Sequence, residues 1–413
     1  MFQFTALPPL SLYIHFPWCV RKCPYCDFNS HAVRGEIPEA QYIDALLADL
    51  EQDLPRVWGR PVRSLFLGGG TPSLFSPEAI ERLLAGVRAR LVLVPDAEIT
   101  LEANPGTVET ERFRGYRAAG VNRLSIGIQS FQPEQLGNLG RIHGRDEALA
   151  AAQCAHAAGF DNFNLDLMFG LPQQTLDDAL ADLRTALSLK PSHLSVYQLT
   201  LEPNTLFHAR PPALPDDDVL AAMQDALQAE LADAGFAQYE VSAYAHAGQE
   251  PKCRDAHGRA RAAAGQRCRH NLNYWQFGDY LGLGAGAHAK ITDAEGITRL
   301  WKVKQPRDFL ATAGSSKSLG GEQRLGTQDA VFEFMLNGLR LTEGISPQLF
   351  TERTGLPLQL LEPALAQAAS RGLVEHSHEC IRATALGRRF LNDLIALFLP
   401  ENEPRAPAGH GKH

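Results

Sequence analysis

Short apolar runs recur along the first half of the chain roughly every 25–35 residues, each followed by a stretch with helical spacing. The runs are Ser11–Phe16, Ser64–Leu67, Glu98–Glu102, Arg123–Ile128, Asn162–Met168 and His193–Leu199. Their Ile, Leu, Val and Phe content suits strands buried on both faces of a parallel sheet. Between them, Ile43, Leu46, Leu47, Leu50 and Leu54 make one helical stripe, and Leu220, Met223, Leu227 and Leu231 make another. Ser76, followed by Pro77, Glu78 and Ala79, predicts a helix start with a serine cap and proline in the first turn. Six strand–helix units in succession predict a parallel sheet with right-handed crossovers, doubly wound or barrel-like.

The rhythm breaks near residue 245. Lys252, Arg254, Arg259, Arg261, Arg267 and Arg269 crowd a stretch of small residues without apolar period, which predicts an exposed basic insertion. Beyond Gly326 the spacing is helical, broken at Gly355-Leu356-Pro357 and Arg371-Gly372-Leu373. The expected organisation is an N-terminal extension (1–10), an α/β core (11–245) and a connecting region (246–325). A small helical C-terminal domain (326–399) and a flexible tail (400–413) follow.

Composition is that of an ordinary soluble protein: 413 residues, 45% hydrophobic, 21% charged, formal net charge −8. That balance gives no general attraction to nucleic acid or anionic lipid. No apolar run approaches the ~20 residues of a membrane span. The opening MFQFTALPPL lacks a positive segment and is interrupted by proline, which predicts no signal peptide and a cytoplasmic location. Membrane association is expected only peripherally, through a partner.

Cysteine usage changes the picture. Of seven cysteines, Cys19, Cys23 and Cys26 crowd into one short loop directly after the first strand. Spaced C-x3-C-x2-C, three thiolates can each bind one iron of a cubane cluster and leave the fourth iron open. A zinc site completed by His15 or His31 is the alternative, but zinc prefers two close pairs of ligands, and no second pair is present. Three buried cysteines without metal are the other alternative. Cys154 and Cys380 read as small buried residues; Cys253 and Cys268 flank the basic insertion, which reads as a solvated loop or else as a source of extra metal ligands and of arginines for carboxylates. His208, His257, His288 and His376 read as structural or exposed.

In parallel α/β folds functional groups gather at the carboxyl ends of strands. The second strand ends in Gly68-Gly69-Gly70-Thr71, whose backbone can approach a ligand and offer N–H groups to a carboxylate, or simply make a tight turn. The next three end in Glu102, Gln129 and Asp166, costly to bury without partners. A ribose and an ammonium group would satisfy them, and Arg141 could neutralise a carboxylate.

The cysteine spacing with Tyr25 before the third cysteine resembles the signature of the radical S-adenosylmethionine (SAM) superfamily. The strand ends are similar, motif by motif, to its oxygen-independent coproporphyrinogen III oxidase group, over about residues 10 to 398. That resemblance implies a partial (β/α)6 TIM-like barrel and a [4Fe–4S] cluster on Cys19, Cys23 and Cys26. It also implies SAM chelated to the open iron and an external electron donor for its cleavage. Tyr13, Gly69, Gly70, Thr71, Glu102, Gln129, Arg141 and Asp166 match residues that contact SAM in that group, and Tyr25 matches one that faces it.

Two departures from the oxidase pattern stand out. Phe28 occupies the position where the oxidases carry a further cysteine, and His270-Asn271-Leu272-Asn273-Tyr274-Trp275 is foreign to them. An H-N-x-x-Y-W motif resembles instead the haem chaperones of the HemW type, which implies haem as cargo, handed to a respiratory haem protein. In that reading His270 offers an imidazole to iron, Tyr274 a phenolate or hydrogen bond, and Trp275 a flat face. An ordinary packed segment with a satisfied histidine is the alternative. Oxidative decarboxylation of coproporphyrinogen III is the competing function, and a plain iron–sulfur electron carrier a distant third.

Overall fold

The protein is described by a computed structural model covering residues 2–107, 109–246 and 266–400. Most of the basic insertion, with Cys253 and His257, lies outside the described residues, as does the tail after Pro400.

All six expected strands form: β1 (Leu10–Phe16), β2 (Val62–Gly69), β3 (Leu93–Ala103), β4 (Arg123–Gln129), β5 (Phe163–Phe169) and β6 (His193–Gln198). They pair in parallel in chain order. The helices between and after them include α1 (Glu39–Asp53), α2 (Pro77–Arg88), α3 (Thr110–Ala119), α4 (Arg145–Ala157), α5 (Leu176–Ser188) and, after β6, α6 (Asp217–Asp233). The apolar stripes do what their spacing demands: Ile43, Leu46 and Leu50 of α1 and Met223, Leu227 and Leu231 of α6 are buried. Ser76 caps α2 by accepting from the Ala79 N–H at 3.2 Å.

The sheet is wider than six units. Beyond β6 it gains β7 (Phe236–Gln238) and β8 (Ala243–His246). On the other side of β1 it gains β9 (Asp279–Leu283), β10 (His288–Asp293), β11 (Gly296–Lys302) and β12 (Leu319–Arg324). Among the described residues the order is β12-β11-β10-β9-β1-β2-β3-β4-β5-β6-β8-β7. β9 runs parallel to β1, and β10 to β12 continue antiparallel. The described part of the stretch read as a connection therefore adds four strands to the sheet. Two buried ion networks fasten it: Lys290 and Arg60 on Asp279, both at 2.8 Å, and Lys302 on Asp49 and Asp53 at 2.7 and 2.6 Å.

Alternation sorts the strand residues into two sets. Leu12, Ile14, Leu65 and Leu67 join the core under the helices, while Ser11, Tyr13, Ser64, Phe66, Glu98 and Arg123 face the opposite, concave side. Across that side lies a short helix, α7 (Arg269–Trp275), which carries the HNLNYW motif. Glu98 fixes its start by accepting from the N–H groups of Arg269 (3.0 Å) and His270 (3.1 Å). The C-terminal region packs around its own core of Phe334, Met335, Phe350, Leu361 and Leu394. It is mostly helical, with one small hairpin pairing Val374–His376 with Ile381–Ala383. Phe2 and Phe4 of the N-terminal extension pack against this second core.

Candidate functional site

The loop bearing the cysteines leaves β1 at Phe16 and is pinned at its base. Trp18 and Cys19 pair with His31 and Ala32 as a two-residue parallel ribbon. The glycine turn after β2 packs against the same base: Gly70 N–H donates to Phe16 C=O at 2.7 Å and Thr71 N–H to Trp18 C=O at 2.8 Å. A side chain at Gly70 would meet those carbonyls, at 2.5 Å from Trp18 and 2.7 Å from Phe16. Gly69, at φ +106°, donates its N–H to Glu102 at 3.0 Å. The N–H groups of Gly69 and Gly70 are thus used within the chain, as in the tight-turn alternative. Glycine is needed for close approach of backbone to backbone.

Cys19, Cys23 and Cys26 line one cavity together with Tyr25, Gly69, Gly70, Thr71, Glu102, Gln129, Arg141 and Asp166. Only Tyr13 of the expected set stands aside. Its hydroxyl meets His15 Nδ1 at 2.9 Å, and its ring lines a neighbouring cavity that shares Gly69 and Glu102. Ser30, Asn104 and Ser125 line the cysteine cavity without having been anticipated. Ser125 was legible in principle, since it alternates with Gly127 on an inward strand face.

Each sulfur has a polar neighbour. Thr71 Oγ1 donates to Cys19 Sγ at 3.4 Å, Ser30 Oγ lies 3.7 Å from Cys26 Sγ, and Arg141 Nη1 lies 3.8 Å from Cys23 Sγ. Arg141 also reaches Tyr25 OH at 3.4 Å and donates to Gly127 C=O at 2.5 Å, while its Nε is buried with no partner among the described residues. Burial pushes the Cys19 and Cys26 thiols above their ordinary range. A metal entering here must displace thiol protons.

Facing the sulfurs are acceptors. Burial, and secondarily the charge of Asp166, pushes the Glu102 carboxyl up to about 8. Asp166 is likewise raised by burial and is held by Asn164 Nδ2 at 2.8 Å and Ser125 Oγ at 3.3 Å. Gln129 ends β4 at φ +71°, just after a register shift. Left-handed backbone at a non-glycine residue is strained, and here it turns the side chain into the cavity.

The donor set fits a cluster better than zinc. His15 is buried with both ring nitrogens engaged, by Tyr13 and by Asn29 C=O at 2.8 Å. His31 Nε2 is 3.3 Å from Asn29 Oδ1. Among the described residues no three His, Cys, Asp or Glu side chains converge on one point as a lone ion requires. Sulfurs spread over the corners of a cubane meet no such requirement.

His270 is placed differently from the expectation of an imidazole offered to iron. It is 1% exposed, with Nδ1 3.1 Å from Ser64 Oγ and Nε2 3.0 Å from Tyr274 OH. Burial and the Arg123 charge push it down to about 3, so it is a neutral, satisfied core histidine. Tyr274 lines the cavity that Tyr13 faces, and Trp275 stacks under the Arg340 guanidinium at 4.3 Å. Cys268 is buried beside Glu98, Arg267 pairs with Glu343 and Arg269 with Asp96. These three are committed within the chain and are not presented to a propionate or a metal. Cys154 and Cys380 are only half-buried.

Three cysteines on the loop after the first strand of a parallel α/β sheet, facing carboxylates at the next strand ends, define a radical SAM protein. Residues 13–186 match the Radical SAM superfamily and residues 325–390 the HemN C-terminal domain. Over 398 residues the chain is 50% identical to the heme chaperone HemW of Escherichia coli (strain K12), covering 96% of this chain and 100% of that one. It is 34% identical over 397 residues to the heme chaperone HemW of Bacillus subtilis (strain 168), covering 95% and 99%. The solved coproporphyrinogen III oxidase HemN of Escherichia coli, described as a radical SAM enzyme, superposes with TM-score 0.77 at 25% identity over 95% of this chain and 90% of that one. The chain belongs to the HemW family.

Proposed function

We propose that this protein is a haem chaperone that holds a [4Fe–4S] cluster on Cys19, Cys23 and Cys26 and binds SAM beside it. Its cargo is haem, delivered to a respiratory haem protein; an external donor reduces the cluster. The observation that carries this reading is end-to-end likeness to relatives named heme chaperones. Phe28, where the oxidases carry a cysteine, supports it.

A cluster in this loop supplies single electrons and an iron site open to SAM. The chain does the rest. Thr71, Ser30 and Arg141 stabilise negative charge on the sulfurs. Glu102 and Asp166 accept from an ammonium or ribose hydroxyl, Gln129 adds an amide, and Tyr25 forms a wall against the ligand. No helix among the described residues is long and apolar enough to cross a membrane.

The test is anaerobic. Reconstituted, reduced protein with SAM is given coproporphyrinogen III in one arm and haemin in another. Saturable haem retention without decarboxylation is expected. Vinyl products with little haem uptake would overturn the reading in favour of an oxidase.

A further inference from the structure

Both ring nitrogens of His270 are engaged by hydroxyls, whereas a second imidazole near the cysteine loop is not. A second cavity opens beside the cysteine loop, about 610 Å³, within the ~300–1,000 Å³ of a typical small-molecule cleft. It shares Phe28, Ser30, Gly69 and Glu102 with the cysteine cavity, so its occupant would sit next to the cluster site.

The wall is aromatic and braced. Tyr274 and Tyr280 pack edge to face with centroids 4.5 Å apart. Their hydroxyls are tied to His270 at 3.0 Å and to Arg299 at 2.6 Å. The HNLNYW motif thus contributes Tyr274 to an aromatic lining. Phe28, 58% exposed, adds an apolar side chain from the cysteine loop. His288 is exposed on the same cavity, and among the described residues its ring makes no hydrogen bond. Lys22 and Lys304 are exposed there too, and neither pairs with a carboxylate among the described residues. Asp27 is the one exposed acid on this lining, and Glu102 lies on its inner side.

We infer that haem cargo seats in this cavity, with the His288 imidazole on its iron and Lys22 and Lys304 facing its propionates. The inference rests on the reading of the chain as a haem carrier. Partial burial, then Lys304 and Arg299, lower the His288 ring below its ordinary range, leaving a neutral nitrogen for the metal.

The experiment titrates haemin into the full-length protein and follows the Soret band and the spin-state signature of the iron. His288→Ala should weaken binding by roughly tenfold or more and remove the histidine-ligated signature. His288→Cys should replace that signature with a thiolate one, which a structural role for the residue would not produce. Lys22→Glu with Lys304→Glu should weaken haemin roughly tenfold while sparing its dimethyl ester, which has no propionate charge. Binding by the parent protein with both His288 variants keeping its spectrum would overturn this site and leave the carrier reading standing. No saturable haemin binding by the parent protein would overturn the carrier reading and the site with it.

Discussion

The Nε2 of His270 lies 3.0 Å from the hydroxyl of Tyr274, four residues on along the same short helix. With Ser64 on Nδ1, this makes the motif histidine a brace between β2 and α7. Its ring is also 5.1 Å from that of Phe66. His270→Ala removes a packed ring and strands two hydroxyls, so it should cost about 3 kcal/mol in denaturant unfolding. Tyr274→Phe should cost roughly 1–2 kcal/mol.

The same histidine makes the fold sensitive to acid. Its pKa is pushed down to about 3 from an ordinary 6.5, so its contribution is present above pH 6.5 and is lost as pH falls toward 3. His270→Gln should flatten that limb of the stability–pH curve. An unchanged acid limb would argue that the ring is solvated.

Glu102 works in the opposite direction. With its pKa raised from 4.5 to about 8, its contribution is full below pH 4.5 and is lost as pH rises through 8. Glu102→Gln should therefore make the ligand-free protein relatively more stable at pH 8 to 9. It should at the same time weaken SAM binding, which in the parent protein strengthens as pH rises toward 8 and below that pH releases a proton. Isothermal titration in buffers of different ionisation enthalpy reads that proton.

Arg141 places its guanidinium 3.8 Å from Cys23 Sγ. A positive charge there favours the more negative, reduced cluster. Arg141→Gln should shift the midpoint potential to more negative values, and Arg141→Lys should shift it less; redox titration followed by EPR distinguishes them.

Much of this was legible in the chain. The six core strands announced themselves because parallel strands under helices are continuously apolar, and Glu102, Gln129 and Asp166 were found because they end such strands. The strand from Asp279 to Leu283 was not, since its partner β1 is some 270 residues away and nothing local encodes that pairing. The bracing contacts of His270 were not legible, because a sequence shows a residue type and not its hydrogen bonds. Ser64 and Tyr274 on its two nitrogens are facts of tertiary structure. His288 reads from the sequence only as structural or exposed for the same reason: its place on a cavity depends on a loop more than 250 residues upstream.

Gly70 offers a severe steric test. A methyl there would press on the backbone carbonyls of Trp18 and Phe16, which cannot rotate away. Gly70→Ala should displace the base of the cysteine loop, lower iron content after reconstitution and reduce thermal stability; normal iron loading would contradict the packing described.

The central claim is three sulfurs around one cluster whose remaining iron is open to SAM, and EPR of anaerobically reconstituted, dithionite-reduced protein addresses it directly. A cubane signal that changes on adding SAM, and that disappears in Cys23→Ser, is the predicted result. Protein that carries zinc in place of iron, or a cluster signal indifferent to both SAM and Cys23, would contradict it.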